Sequence, residues 1–308
     1  MTINSISGGK SSGYLAVHYP ADREVFSMVC LDDASCRIKD PAVLAYAADK
    51  LADYVDEFGE VVGTAESDRT LVAMMDLEQY IGRNVTWVRG PSFDELLAGT
   101  RTRYGGGSAT RLPSWARRYC TVEMKLVPIF LWWYRHIGTE VKMRIGFRAD
   151  EFRRMLRFMH GAPWRLKFPV SCRLSGERRM VWQDFDWRKI EFPLMEHGIG
   201  QENVSTFWQH QGWVGGDLFE GRRKIEFPAV SNCVGCFYKI VEVLAVMAEQ
   251  EPEKMAWFAR QEHNGMGRWL DKKVSYDEII ARPQDFWKEV FYEIASQGET
   301  CGSGDCIA

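Results

Sequence analysis

The sequence predicts an α/β fold, a doubly wound and mostly parallel sheet followed by an appended, mainly helical C-terminal region. Short β-prone or apolar runs alternate with helical stretches through the first half of the chain, as strands and their covering helices do in βαβ units. This alternation ends near residue 160, after which Pro, Trp and Arg are dense. We therefore divide the chain into a core over residues 1–160 and an appended region over residues 161–308.

The predicted strands of the core are short runs of the type that lies in a buried parallel sheet, and they cover residues 2–6, 25–31, 61–64, 85–88 and 141–147. Helical stretches between them cover residues 12–18, 42–58, 70–80 and 120–136. The appended region has three further predicted helices, over residues 238–249, 252–262 and 283–296. A loop rich in Gly and Arg covers residues 99–111, where Arg101, Arg103 and Arg111 could form a mobile lid or contact a polyanion.

Composition is that of an ordinary globular protein, with 308 residues, 46% hydrophobic and 26% charged side chains. No apolar run approaches the roughly 18 residues needed to span a bilayer, and the N-terminus has no basic segment followed by an apolar one. We expect a cytoplasmic location and no membrane partner. The six histidines include no His-x-x-x-His pair, so nothing supports a metal site built on that spacing.

Charge is distributed unevenly along the chain. Residues 141–190 carry thirteen Lys or Arg against five Asp or Glu, an excess of +8 in a chain whose net charge is −3. Such a segment suits phosphates, a nucleotide or a polynucleotide backbone. A solvated face with local ion pairs explains the same composition equally well.

A small-residue loop joins the first predicted strand to the first helix, and it consists of Ser7, Gly8, Gly9, Lys10, Ser11 and Ser12. Glycines let the backbone approach a phosphate closely, and successive amides can form an anion nest. The helix N-terminus adds partial positive charge and Lys10 adds a full one. The spacing is too short for a Walker A loop, but the position on the first strand-to-helix turn of an α/β sheet favours phosphate binding over an inert turn.

Charged residues also follow two other predicted strands. Asp32 and Asp33 come after the strand over residues 25–31, where Mg²⁺ or ribose binding and simple capping are equally good interpretations. Arg148 and Asp150 come after the strand over residues 141–147. An arginine there could hold a phosphate through two hydrogen bonds while a carboxylate orients it or holds Mg²⁺; a surface ion pair is the alternative.

Eight cysteines in a chain of this class indicate metal binding or catalysis rather than a disulfide scaffold. Cys233 and Cys236 form a Cys-x-x-Cys pair, which alone suits Zn²⁺, an iron–sulfur cluster or a redox dithiol. Cys301 and Cys306 lie in a glycine-rich tail, where they are either functional thiols or idle residues.

The loop from Ser7 to Ser12 resembles the Ser-Gly-Gly-x-Asp-Ser signature of the PP-loop family of adenine-nucleotide α-hydrolases, with Ser11 in the place of Asp. Later segments resemble the phosphoadenosine-phosphosulfate (PAPS) reductase-like branch. They are Cys120-Thr121 with Lys125 and Pro128, the run from Ile145 to Glu151, Phe192-Pro193-Leu194, and Asn232 to Phe237 with Lys239.

This resemblance implies a HUP/PP-loop-type sheet that binds ATP, PAPS or a related adenylyl nucleotide, with Lys10 stabilising charge as the α-phosphate is attacked. It also implies that Cys120, Cys233 and Cys236 surround one [4Fe–4S] cluster, with structural Zn²⁺ as the alternative and the fourth ligand open. Glu299-Thr300-Cys301-Gly302 is close to the family's Glu-Cys-Gly element, so Cys301 is a candidate for nucleophile, persulfide carrier or cluster ligand, with Cys306 as a resolving thiol.

The expected function is ATP-dependent sulfur transfer, with a sulfur donor or thiol reductant protein as partner and a nucleic acid among the open acceptors. One alternative is PAPS reduction, in which Cys301 attacks the sulfate sulfur and sulfite is released. The other is a non-catalytic module on the same fold that binds a nucleic acid or a partner protein.

Overall fold

The structure is a computed structural model that describes residues 1–99, 111–114, 118–160, 165–174, 177–215, 222–230, 233–270 and 274–281. Its strands are β1 (Thr2–Ile6), β2 (Arg23–Met28), β3 (Cys30–Leu31), β4 (Gly63–Thr64), β5 (Val85–Arg89), β6 (Val141–Ile145), β7 (Arg165–Leu174), β8 (Glu177–Asp186), β9 (Arg188–Glu191), β10 (Trp213–Val214) and β11 (Arg223–Lys224). Its α-helices are α1 (Lys10–His18), α2 (Pro41–Lys50), α3 (Val55–Phe58), α4 (Asp68–Ile81), α5 (Phe93–Ala98), α6 (Tyr119–Thr121), α7 (Val127–His136), α8 (Phe152–His160), α9 (Pro193–Glu196), α10 (Gln201–His210), α11 (Val241–Gln250), α12 (Pro252–His263) and α13 (Tyr276–Ile280).

A five-stranded parallel sheet with the order β5-β2-β1-β6-β9 forms the centre of the molecule. Strand β1 lies in the middle, with Ile6 opposite Phe26 of β2 and Thr2 opposite Lys142 of β6. Ile3, Val25 and Met143 are almost completely buried in these strands. The α/β class is confirmed, and a parallel sheet with helices in its connections is compatible with a doubly wound arrangement.

The edge strand β9 comes from beyond residue 160, and an antiparallel ribbon of β7 and β8 precedes it. The sequence did not predict these strands, because Pro169 and many arginines interrupt the apolar pattern. Pro169 is tolerated since both strands of a two-stranded ribbon are edges. Phe168 and Phe185 of the ribbon contact the ring of Phe130, with centroids 5.4 and 5.0 Å away.

Two predicted helices are interrupted. The helix predicted over residues 42–58 ends at Lys50 and continues as a 3₁₀ turn (Ala52–Tyr54) and the short α3. The helix predicted over residues 120–136 contains a π-helical segment, Val122–Leu126, before α7. The π-helical segment accommodates Pro128, because proline has no N–H and cannot donate a hydrogen bond to the carbonyl of Met124 four residues earlier. The buried hydroxyl of Ser27 donates to that carbonyl instead, at 2.9 Å.

The C-terminal helices pack over α5. The prediction of helices over residues 238–249 and 252–262 is confirmed within a few residues by α11 and α12, while the one over residues 283–296 lies outside the described residues. Trp257, Phe258 and Trp269 surround Phe93 at ring distances of 5.3 to 6.0 Å. In the described part of the chain, no helix combines the length and the hydropathy that a bilayer crossing requires.

Candidate functional site

Strand order identifies one crevice at the carboxyl edge of the central sheet. From the central β1 the chain builds outward through β2 and β5, then crosses to the other side of β1 for β6 and β9. The loops that follow β1 and β6 therefore leave the sheet in opposite directions. In open α/β sheets a ligand binds at this switch point, and the loop from Ser7 to Ser12 lies there.

Gly8 determines how that loop turns. Its φ is +75°, a backbone conformation that residues other than glycine rarely adopt. A Cβ atom at this position would overlap the Cγ2 methyl of Thr70, which lies in the first turn of α4. With any residue other than glycine at position 8, the loop could not approach α4 this closely.

Ser12 holds the loop together from within. Its buried hydroxyl accepts hydrogen bonds from the amide and the hydroxyl of Ser7, both at 3.2 Å, and donates to the carbonyl of Gly9 at 2.9 Å. Gly9 is the N-cap of α1, and no side chain in the described part of the protein caps that helix. Lys10 begins the helix and is exposed. The turn thus presents helix N–H groups together with one ammonium group.

Arg148 connects the loop after β6 to the loop after β1. Its Nη1 donates to the hydroxyl of Ser11 at 3.2 Å, and its Nη2 pairs with Asp150 at 2.9 Å. Partial burial opposes ionisation of Asp150, but the hydrogen bonds and the charge of Arg148 outweigh it and lower the pKa of Asp150. The structure therefore brings Ser11, Arg148 and Asp150 together.

Asp32 is placed elsewhere on the same edge. Its carboxylate accepts a short hydrogen bond from Ser92, the N-cap of α5, and its amide donates to Asp94 at 2.8 Å. Asp33 caps a 3₁₀ turn and pairs with Arg260 at 2.7 Å. Both carboxylates thus have structural partners, and Asp32 is held by α5 rather than by the loop from Ser7 to Ser12.

Cys120 lines one cavity together with Cys233 and Cys236, which lie far from it in the sequence, and we name this cavity the thiol pocket. The other lining residues are Val29, Phe93, Arg118, Thr121, Met124, Lys125, Phe237 and Tyr238. Val29 follows β2 and Phe93 follows β5, so the pocket lies at the same edge of the sheet as the phosphate-type loop. Its volume of about 50 Å³ accommodates a few water-sized groups but not a nucleotide.

Two lysines, the buried Lys239 and the partly buried Lys125, lie close to these thiols. Lys125 pairs with the fully buried carboxylate of Glu66 at 2.9 Å, and Lys239 donates a short hydrogen bond to the carbonyl of Cys233. Burial opposes the charge of Lys125, but the carboxylate of Glu66 outweighs it and raises the pKa of Lys125. Burial lowers the pKa of Lys239. The carboxylate and the ammonium groups therefore form one buried charge network beside the cysteines.

Burial also governs the cysteines themselves. It raises the pKa of Cys120 to about 12 and raises that of Cys233 as well. Without a metal both are protonated thiols at neutral pH, whereas a metal binds the thiolate and releases the proton. Among the residues that the structure describes, no three Cys, His, Asp or Glu side chains are close enough to hold a single metal ion. Cys120, Cys233 and Cys236 are nevertheless the thiols that a larger centre could use.

The Cys-x-x-Cys turn is supported from behind by the C-terminal helices. A side chain at Gly235 would overlap the ring of Phe258, and the buried hydroxyl of Tyr276 donates to the Gly235 carbonyl at 3.1 Å. The amide of Val234 donates to Ala65 at 2.7 Å. The two cysteines are therefore fixed between α12, α13 and the end of β4.

One short segment joins the phosphate-type loop to the thiol pocket. Thr70 packs on Gly8, and Glu66, four residues earlier, pairs with Lys125 of the pocket. Lys254 of α12 holds the segment through the carbonyl of Glu66 and the carboxylate of Asp68, both at 2.7 Å. Thr70 Oγ1 and Glu66 Oε2 are buried and lack a hydrogen-bond partner among the described residues.

Sequence reasoning missed Glu66, Thr70 and Tyr276. Glu66 follows the predicted strand over residues 61–64, so the rule that selected Asp32 would have found it. Thr70 and Tyr276 carry no signal in the sequence, since their contacts form only in the folded chain. The predicted tail cysteines, Cys301 and Cys306, and the loop arginines Arg101 and Arg103 lie outside the described residues.

Comparison of the chain with protein-family models, with curated proteins and with solved structures returned no match. The site is therefore interpreted on its own geometry.

Proposed function

We propose that this protein is an enzyme of the PP-loop type that binds ATP or a related adenylyl nucleotide and couples it to sulfur transfer beside a cysteine-held [4Fe–4S] cluster. One observation carries the proposal. The Ser-Gly-Gly-Lys turn opens at the switch point of the sheet, and three cysteines line a pocket at the same edge.

In this mechanism the turn from Ser7 to Ser12 seats the phosphates through the N–H groups of α1. Lys10 stabilises the charge that develops as an oxygen of the acceptor bonds to the α-phosphorus and pyrophosphate leaves. Sulfide then bonds to the activated carbon of the acceptor, and AMP leaves with the acceptor's oxygen. With a persulfide donor, a second thiol afterwards breaks the S–S bond of the adduct and forms a disulfide with the donor cysteine. Arg148 already bonds to Ser11 and is positioned to orient the phosphates.

Cys120, Cys233 and Cys236, which line one pocket, support an iron–sulfur centre. Structural Zn²⁺ is the alternative, because cysteines also form tetrahedral zinc sites. A [4Fe–4S] cluster binds its thiolates through different irons, so Cys120, Cys233 and Cys236 would hold three corners. Lys125 and Lys239 offset the negative charge of thiolates there. When bound, such a cluster supplies electrons or a Lewis-acidic iron.

The test is anaerobic reconstitution with iron and sulfide, followed by a visible spectrum and metal analysis. We expect broad visible absorption that is lost in Cys120→Ser, Cys233→Ser and Cys236→Ser. Bound Zn²⁺ without iron would instead assign a structural metal.

Activity separates the candidate functions. ATP-dependent release of pyrophosphate with a sulfur donor supports the proposal, and release of sulfite from PAPS without ATP supports the reductase alternative. Lys10→Ala should abolish nucleotide turnover, whereas the control Lys39→Ala, an exposed lysine paired with Glu253, should not. A protein that turns over neither nucleotide and keeps its biological activity as Lys10→Ala is a non-catalytic binding module.

A further inference from the structure

The ribbon of β7 and β8 packs on the rest of the molecule near its base. Phe168 and Phe185 contact the ring of Phe130 there, and no other element in the described part of the chain packs extensively on the two strands. Arg173 comes five residues after Phe168 in the same strand, about 17 Å farther along it. The outer end of the ribbon therefore lies well beyond its contact with α7.

The outer end of the ribbon is rich in arginine. We name residues 171–174 and 177–180 the ribbon tip, and they contain three arginines and one glutamate, an excess of +2. The pairing of the strands places Arg173 directly opposite Arg178, and Arg179 opposite Cys172. The ribbon tip thus concentrates positive residues at neighbouring positions of two paired strands.

This pairing does not favour the free ribbon. Like charges at directly opposite positions destabilise an antiparallel pair of strands, and a two-stranded ribbon has little stability of its own without packing. A ligand with closely spaced negative charges would remove the repulsion between Arg173 and Arg178. The register therefore points to an anionic partner at the ribbon tip.

We propose that the ribbon tip enters the major groove of duplex DNA, where Arg173, Arg178 and Arg179 neutralise the phosphates that border the groove. The major groove of B-form DNA is about 12 Å wide and admits a two-stranded ribbon. The major groove of A-form RNA is deep and narrow, and a single strand or an acidic peptide has no such groove. That the bound DNA is also the acceptor of sulfur rests on the function proposed above, whereas the binding itself does not.

Fluorescence anisotropy of the 308-residue chain without nucleotide tests this inference. The probes are a labelled DNA duplex of about 20 base pairs, or two helical turns, the RNA duplex and the single-stranded DNA of the same sequence, and a polyglutamate peptide. We expect the DNA duplex to bind most tightly. Arg173→Gln/Arg178→Gln should reduce the slope of log Kd against log salt by about 1.8, at about 0.9 for each neutralised phosphate.

The matched control is Lys142→Gln/Lys189→Gln, which removes two lysines of the same basic segment, 62% and 71% exposed, from β6 and β9. It should leave the slope unchanged. Because Arg173 and Arg178 are opposite each other, their replacement should not lower the unfolding midpoint of the free protein. An unchanged or higher midpoint would show that weaker binding does not come from misfolding.

Hydrogen exchange reports where on the protein the DNA binds. Backbone amides of the ribbon tip should exchange more slowly when the DNA duplex is present. The inference is overturned if the DNA duplex does not bind, if another probe binds equally well, if the lysine control reduces the slope as much, or if the ribbon tip gains no protection. DNA binding without turnover of ATP or PAPS would contradict the proposed function and leave the ribbon assigned, whereas turnover without DNA binding would do the reverse.

Discussion

Gly8 shows how a single residue shapes the candidate nucleotide turn. Its left-handed backbone brings the loop against Thr70, so the phosphate-type turn and the start of α4 form one packed unit. The glycine is needed for two separate reasons, its φ and the missing Cβ, and a well-chosen control can separate them.

Gly8→Ala should lower the free energy of unfolding by about 3 kcal/mol, as left-handed strain costs ~1–3 kcal/mol and the clash with Thr70 adds to it. Gly82 provides the control because its φ of +62° and ψ of +25° are left-handed and a Cβ there meets nothing within 4 Å. Gly82→Ala should therefore cost only about 1 kcal/mol. Adding Thr70→Ser, which removes the clashing methyl, should restore part of the loss in Gly8→Ala. Equal losses at the two glycines in urea denaturation would contradict the clash.

The ion pair between Arg148 and Asp150 should make the free energy of unfolding depend on pH. The folded pKa of Asp150 lies below its ordinary value of 3.8, so the pair contributes fully above that pH. The contribution is lost as the pH falls through the lower folded value. We expect Asp150→Asn to be less stable than the parent at neutral pH and equally stable in strong acid. A difference in unfolding free energy that stays constant down to strong acid would disprove this account.

The π segment before α7 shows how one element is adjusted by another. Pro128 removes a helix hydrogen bond, and Ser27 of β2 satisfies the carbonyl of Met124 that loses its partner. This contact fixes the Cys120 end of the helix above the sheet.

Ser27→Ala should cost about 1–3 kcal/mol, the usual penalty for leaving a buried polar group without a partner. Pro128→Ala restores an N–H, so the double variant Ser27→Ala/Pro128→Ala should lose less than the sum of the two single variants. Chemical denaturation measures all three. Strict additivity would show that Ser27 does not compensate for the proline.

The Cys-x-x-Cys turn depends on α13 in the same way. Tyr276→Phe removes the donor to the buried Gly235 carbonyl, and we expect a loss of about 1 kcal/mol together with faster maleimide labelling of Cys233 and Cys236. Tyr46→Phe is the control, since this hydroxyl bonds to Glu78 on α4. It should lower stability without changing the labelling rate. Identical labelling of parent and Tyr276→Phe would remove Tyr276 from the support of the turn.

At the scale of the whole molecule, the folded core crosses residue 160. Strand β9 completes the sheet, Trp187 packs among residues of β1, β2 and α7, and Trp208 of α10 donates to the carbonyl of Lys10 at 2.9 Å. We expect a fragment of residues 1–160 to be unfolded by circular dichroism and limited proteolysis. Adding a fragment of residues 161–308 should restore structure. A stable, protease-resistant fragment 1–160 would contradict this dependence.

The spacing of apolar residues predicted those strands and helices whose pattern is continuous along the chain. Strand Thr2–Ile6 and helices α11 and α12 are found nearly where periodicity placed them. The break after Lys50 was missed because apolar spacing continues through Leu51 and Val55, although Val55 is 39% exposed. The ribbon of β7 and β8 was missed because its pattern contains Pro169.

The same distinction applies to the site. The loop from Ser7 to Ser12 is one continuous motif, so the residues alone predicted it. That Cys120 lies near Cys233 and Cys236 could be predicted only from the resemblance to a known family. The lysine and glutamate network behind the cysteines depends on tertiary packing, which no local pattern reports.

Glu66 and Thr70 are the two ends of a five-residue segment that contacts both the phosphate-type loop and the thiol pocket. Thr70 touches Gly8, Glu66 pairs with Lys125, and Lys254 binds the carbonyl of Glu66. We therefore expect a ligand that displaces Thr70 to move Glu66 as well, and so to change the electrostatic potential at the three cysteines.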